Sequence, residues 1–267
     1  MRRLPLLFVV ALTACVPSAS EDGGQVDLGD ADTDTDADTD TDSAFPLSSD
    51  DEIRAAWTVV GTSAYAPLGA FFLAAFGAES GCPVVEEETD TQVVFRGGCT
   101  TDDGVAIEGG LTVFSAGDAG ATLTFAAFSY DIEGTLVLLD GDASIAADGG
   151  LVTAEQLDVT VTGVPDSVAM IDGARVRYTN LEQAIDAQGA GLEDVPMRGA
   201  AAVSGLGALA WSGTVSYGTD ECSGDVVSGT VTLSGTREVA LGFEEVCARA
   251  CLTWSSGGDT GEICDAE

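Results

Sequence analysis

The strongest constraint on the fold is an alternation of apolar and polar residues that begins after Cys82. Leu157, Val159 and Val161 fall on one face of a segment whose other face carries Asp and Thr, and residues 230–234 alternate in the same way. This period of two is typical of half-buried antiparallel strands. Turn-forming clusters separate such segments, namely GGCTTDDG, SAGDAG, DGD and ADGG. The pattern predicts a mainly β chain, an antiparallel meander that forms a sandwich, a barrel or a curved sheet.

Three stretches depart from this alternation. Residues 121–130 and 135–139 are apolar on both faces, so we expect them to form central strands or strands that pack against helices. Residues 180–188 lack a clear period of two. They predict one short helical interruption of the meander.

Residues 48–79 are apolar at helical spacing. Ser48 or Ser49 can cap this helix, and three acidic residues follow in the first turn, where the helix dipole favours them. Pro67 can start a second helix, so the stretch predicts an N-terminal helical pair. Residues 55–78 carry no charge, which also admits a membrane span. Interrupting Gly and Pro residues favour a helical pair buried in the core.

The cysteines indicate cross-links. Seven are present, and six remain if Cys15, at the end of the apolar N-terminal run, carries a lipid. An even number in an exported chain indicates disulfides. Facing residues of an antiparallel hairpin have a constant index sum, and on this geometry we expect the pairs Cys82–Cys99, Cys222–Cys247 and Cys251–Cys264. In the alternative, Cys247 and Cys251 exchange partners.

Missing residue types exclude several kinds of chemistry. The chain has no His and its nine basic residues are all Arg, so Lys is absent as well. Without His there is no Ser-His-Asp system and no His-ligated zinc. Without Lys there is no Schiff base and no phosphate-loop lysine. Carboxylate, Tyr and Ser chemistry remain.

The first fifteen residues have the order of an export signal. Arg2 and Arg3 precede an apolar run that ends in Leu12-Thr13-Ala14-Cys15. With its cysteine at the cleavage point, this segment resembles the signal and lipobox of bacterial lipoproteins. The resemblance implies cleavage before Cys15 and several acyl chains on that residue, palmitate among them. Because Val16 is not Asp, it also fits delivery to the outer membrane. Cleavage would leave seven Arg against 45 acidic residues, a net charge of −38, which repels nucleic acids and anionic lipids and attracts divalent cations weakly.

The chain divides into three parts on this interpretation. Residues 1–14 form the signal peptide, and residues 15–44 form the lipidated cysteine and a disordered tether rich in Asp and Thr. The tether also resembles those of lipoproteins from myxobacteria-like organisms. Its spaced Asp residues do not fit a calcium loop, because Gly and Glu are missing at the required positions. Residues 45–267 form the β-rich, disulfide-bonded body, for which no family is indicated.

Several side chains could form a site, and each has a simpler structural interpretation. Turn carboxylates could bind calcium or act as a glycosidase pair, but Asp is common in turns. Two arginines on one strand face could bind an anion, or pair with nearby acids. The tryptophans could stack on sugars, and Trp254, in the terminal hairpin, could be exposed for this purpose. Three phenylalanines could line an apolar pocket. These residues are Asp102, Asp103, Asp140, Asp142, Asp148, Arg175, Arg177, Trp57, Trp211, Trp254, Phe71, Phe72 and Phe76.

The sequence favours a lipid-anchored, non-catalytic protein of the cell envelope with a binding or structural role. We expect it to associate with the outer membrane through the lipid on Cys15, and with no nucleic acid. No catalytic residue, cofactor or metal site is expected. Two alternatives are an exported hydrolase that uses carboxylates and a carrier of apolar ligands inside a β-barrel.

Overall fold

The computed structural model describes residues 43–115, 117, 120–147, 150–186, 191–219, 222, 225–243 and 251–264. One helix, α1 (Asp50–Ser80), precedes the strands. The strands are β1 (Val84–Glu88), β2 (Gln92–Arg96), β3 (Cys99–Thr100), β4 (Ala106–Ser115), β5 (Ala121–Ile132), β6 (Thr135–Ile145), β7 (Leu151–Thr162), β8 (Arg175–Ala184), β9 (Val195–Val203), β10 (Gly207–Tyr217), β11 (Val226–Ser234), β12 (Glu238–Gly242), β13 (Cys251–Ser256) and β14 (Asp259–Cys264). A short 3₁₀ helix, Asp166–Ile171, joins β7 to β8.

All fourteen strands form one antiparallel meander. Each strand pairs with its neighbours in chain order, except that β2 pairs with β4 and the short β3 pairs with β4 beside it. The sheet does not close, so β1 and β14 are its edges. Of the predicted sandwich, barrel and curved sheet, the single sheet that does not close corresponds to the last. Strands β5 and β6, predicted to be central or to pack against helices, lie inside the sheet and contact α1.

The predicted helical pair is a single helix, and this part of the prediction is wrong. Helix α1 runs without a break through Pro67, which is buried inside it. Its start matches the sequence: Ser49 accepts a hydrogen bond from the Glu52 amide, and the Glu52 side chain accepts one from the Ser49 amide, a complete capping box. Gly81 ends it in the left-handed conformation.

Helix α1 runs across the sheet, from β13 and β14 near its start to β5 further along. Near its start, Asp50 accepts a hydrogen bond from Trp254 of β13. In the middle, the Tyr178 hydroxyl of β8 donates to the Val59 carbonyl over 2.7 Å. Further on, the Tyr130 hydroxyl of β5 donates to the Ala66 carbonyl. The apolar side chains of the strands pack around the helix and make one continuous core.

By length and composition, α1 could also cross a membrane. The core helix of a soluble protein meets the same criteria, and half of the most apolar window of α1 is buried inside the body. Every residue from Ile53 to Ala75 is buried or half-buried. The hydrogen bonds to β5, β8 and β13 support the interpretation as a core helix.

Two of the three expected disulfides are present. Cys82 bonds to Cys99, and Cys251 bonds to Cys264 at facing positions of the β13–β14 hairpin. Cys222 is disulfide-bonded as well. Its expected partner, Cys247, lies outside the described residues, so the Cys222–Cys247 pair stays a prediction.

The predicted interruption at residues 180–188 is not a helix where the structure describes it. Residues 180–184 continue β8 to its end at Ala184, and residues 187 and 188 lie outside the described residues. The lipobox, including Cys15, and the tether up to residue 42 also lie outside them. Ser43 and Ala44, assigned to the tether, already hydrogen bond or pair with Ala208 of β10.

Candidate functional site

The two arginines of β8 that could bind an anion are paired with an acid of the neighbouring strand β7. Arg175 Nη2 lies 2.7 Å from Asp158 Oδ2, and Arg177 Nε lies 3.0 Å from Asp158 Oδ1. The hydrogen bond to Asp158 raises the pKa of Arg175. Both oxygens of a nearly buried carboxylate are thus neutralised by the pair. These arginines complete an ion-pair network within the sheet.

The candidate carboxylates also have structural roles. Asp140 and Asp142 lie inside β6, not in a turn. Asp140 Oδ1 accepts a hydrogen bond from the Ala127 amide at a bulge of β5, and Asp142 Oδ1 accepts one from Thr124 Oγ1 over 2.6 Å. Asp102 and Asp103 form an exposed turn before β4. Asp148 lies outside the described residues. The two described carboxylates of this set that lie in the sheet, Asp140 and Asp142, are therefore both engaged by groups of the neighbouring strand β5.

One group has metal-ligand geometry by distance alone. The side chains of Cys251, Glu262 and Cys264 place one ligand atom each within 4.8 Å of one another. The two sulfur atoms are bonded to each other, so neither is a thiolate that could bind a metal.

The three tryptophans serve packing. Trp211 is buried edge-on to Tyr178, and Trp57 stands 5.0 Å from Phe243, ring centre to ring centre. Trp254 is half-buried rather than exposed, because its Nε1 donates to Asp50 and its ring lies under the guanidinium of Arg237 at 5.3 Å. The ring is therefore not a free platform for a sugar.

A group of acidic and phenolic side chains meets at the opposite end of the strands from the β9–β10 turn. Burial, together with the charges of Asp225 and Asp186, raises the pKa of Tyr65 on α1 to about 12. Burial also raises the pKa of Asp225. Asp186 accepts a hydrogen bond from the Gly191 amide over 2.7 Å. A phenol with so high a pKa does not exchange protons near neutral pH, so the group has no evident catalytic use.

Sequence reasoning missed this group for a clear reason. Tyr65 lies more than 100 residues from Asp186 and Asp225 in the chain, and only the course of α1 across the sheet brings it near them. No local pattern distinguishes these two acids among 45.

The phenylalanines of α1 form a surface rather than a pocket. Phe71 and Phe72 lie 5.7 Å apart, and Phe72 and Phe76 are stacked at 5.9 Å between ring centres. Phe71 and Phe72 are half-buried against the core, whereas Phe76 is 57% exposed. We call these three residues the aromatic end of α1. Their arrangement offers an apolar contact at the surface.

Hollows in the described part of the chain are shallow. Two open hollows, of about 580 and 310 Å³, lie over β11 to β14 and are lined mainly by Thr, Ser and Gly. Neither includes the aromatic end of α1 or the Tyr65 group.

Comparison of the chain with known proteins gave no match to a family model, a curated protein or a solved structure.

Proposed function

We propose that this chain is a lipid-anchored, non-catalytic protein of the bacterial cell envelope, held in the outer membrane through Cys15, and that it binds or supports other envelope components with its surface. The lipobox-like segment supports the anchor. The disulfides at both edges of the sheet suit an exported protein. The length of chain between Cys15 and Ser43, 27 residues, suits a tether.

The observation that carries the proposal is the position of α1. The helix occupies the space where a carrier would hold its ligand, and no residue from Ile53 to Ala75 is exposed. Buried polar contacts fix it there, such as the Ser63 hydroxyl on the Gln183 side chain at 2.8 Å. A binding role therefore falls to the outer surface, because the interior is filled.

The anchor is tested by metabolic labelling of the full chain with an alkyne analogue of palmitate in a Gram-negative host. We expect label on the wild-type chain, which should be found with the outer membrane. Cys15→Ser should lose both the label and the membrane association. Signal cleavage without label on the wild type, or label retained in Cys15→Ser, would overturn the proposal.

The carrier alternative is tested by what the purified chain retains. Organic extraction of the acylated protein, followed by mass spectrometry, should release no stoichiometric apolar ligand beyond the covalent acyl chains. About one ligand per chain would favour a carrier in which α1 moves aside. The Cys15→Ser chain, extracted in the same way, separates bound ligand from lipid carried by the anchor.

A further inference from the structure

The tether leaves the body at a defined end of the sheet. The Ser43 carbonyl accepts a hydrogen bond from the Ala208 amide, and the Phe45 amide donates to the Ala208 carbonyl, both over 2.8 Å. The Thr236 amide, in the β11–β12 turn, donates to the Phe45 carbonyl. These bonds fix the first described residues beside the β9–β10 and β11–β12 turns. We call this end of the strands the tether end.

The aromatic end of α1 lies at the same end of the strands. The helix finishes against Cys82, whose amide donates to the Gly77 carbonyl over 3.1 Å, and Gly77 leaves no room for a side chain between them. Cys82 is bonded to Cys99. The sheet register runs from Cys99 through facing residues Ile107, Tyr130, Val137 and Val161. This row lies beside the β5–β6 turn, which is at the tether end because every second turn of a meander falls at one end.

Most of the other large apolar side chains that are exposed also lie at the tether end. Leu136 and Leu138 lie near the start of β6, and Val84 and Val85 begin β1. Both strands start from the tether end. Among the exposed large apolar residues of the described chain, Phe114 alone lies near the opposite end, at the close of β4.

We propose that the tether end faces the lipid surface and that Phe76 enters the interface between headgroups and acyl chains. This inference rests on the proposed anchor at Cys15. The 27 residues between Cys15 and Ser43 reach about 90 Å when extended, so the tether alone does not hold the body against the membrane. The anchor keeps the body near the lipid, where even a weak apolar contact is repeatedly made.

Charge restricts the lipid that this surface accepts. The mature chain would have a net charge of −38, and the exposed Glu79 lies in the last turn of α1, three residues after Phe76. Anionic headgroups are repelled by this net charge and by the Glu79 carboxylate. The lipid surface that fits is therefore zwitterionic, such as phosphatidylethanolamine or phosphatidylcholine.

The test uses the acylated full chain in phosphatidylcholine vesicles that contain brominated acyl chains, which quench tryptophan on contact. Phe76→Trp is the reporter and Phe114→Trp, at the opposite end and 43% exposed, is the matched control. The unsubstituted chain gives the background of the three native tryptophans. We expect at least twofold stronger quenching for Phe76→Trp than for Phe114→Trp, and less quenching when anionic lipid is added.

Equal quenching of the two variants would overturn the inference. So would a blue-shifted but unquenched Phe76→Trp, which would show that a second copy or another protein covers the aromatic end. The mass of the intact protein distinguishes a failure of the proposed anchor from a failure of the proposed orientation. A chain without acyl groups contradicts the anchor itself, whereas an acylated chain without selective quenching contradicts only the orientation.

Discussion

Buried tyrosine hydroxyls form hydrogen bonds between strands and α1, and between two strands. Tyr178 and Tyr130 donate to carbonyls of α1, and Tyr217 donates to the Ala184 carbonyl at the end of β8 over 2.9 Å. Each ring fills core space while its hydroxyl takes up a carbonyl that would otherwise be buried without a second partner. The bond of Tyr178 is the shortest of the three.

Tyr178→Phe should lower the free energy of unfolding by about 1 kcal/mol, because the ring stays packed while a buried hydrogen bond is lost. Urea unfolding of the oxidised chain measures this change. The control is Tyr65→Phe, since the Tyr65 hydroxyl has no hydrogen bond within the described residues. It should change stability by less than about 0.5 kcal/mol. Equal losses in the two variants would contradict the role given to the Tyr178 hydroxyl.

Among the strands, bulges explain why parts of β6 and β8 were predicted as a turn and as a short helix. The run at residues 180–184 lacks alternation because the register of β8 with β9 shifts between Thr179 and Glu182, and Asn180 has φ = +51°. In β6, Gly141 has φ = +111° within a shifted pairing. A bulge inserts a residue and breaks the period of two, so a continuous strand resembles a turn or a short helix. Stretches of strand that lie between bulges, such as residues 230–234 of β11, were predicted correctly.

For helix α1, the start was predicted correctly but the break at Pro67 was not, and the reason differs from that in the strands. A serine cap at Ser48 or Ser49, followed by acids, is a local signal, and it marked the start of the helix correctly. Pro67 signals a break locally, yet the helix continues because the sheet packs around it, and tertiary packing overrides local preference. The three phenylalanines were singled out in the sequence as a possible lining of an apolar pocket. They form a surface instead, because helical spacing does not tell which side chain the sheet leaves uncovered.

The two described disulfides hold the two edges of the sheet. Replacing Cys251 and Cys264 by Ala should cost about 2–4 kcal/mol of stability, because the cross-link restricts the unfolded chain. Hydrogen exchange should rise mainly in β13 and β14. The matched variant, Ala at Cys82 and Cys99, should cost a similar amount with faster exchange in β1 to β3. Faster exchange across the entire sheet in both variants would show that the edges do not open independently.

At the scale of the whole molecule, an open sheet is stable because α1 completes its core. The sheet has two unpaired edges, and an exposed edge invites pairing with other chains. Strand β1 carries three consecutive Glu residues and a bulge between Val85 and Glu87, both of which discourage such pairing. At the other edge, Arg54 of α1 donates to the Cys264 carbonyl over 2.8 Å. The helix thus fills the interior and also holds one edge.

The ionisation of the four tyrosines at alkaline pH tests whether this interior is filled. Burial raises the pKa of every one of them, that of Tyr65 to about 12 against 10.0 for a free phenol, and those of Tyr130, Tyr178 and Tyr217 further. Because the folded pKa values exceed the unfolded ones, this contribution to stability is complete below pH 10 and is lost as the pH rises above it. Tyrosinate absorbance at 295 nm should therefore stay low at pH 10.5 while circular dichroism is native. Tyr65→Phe should remove the first component that appears near pH 12. A tyrosine that titrates near pH 10 in the folded chain would mean that the interior admits water beside α1.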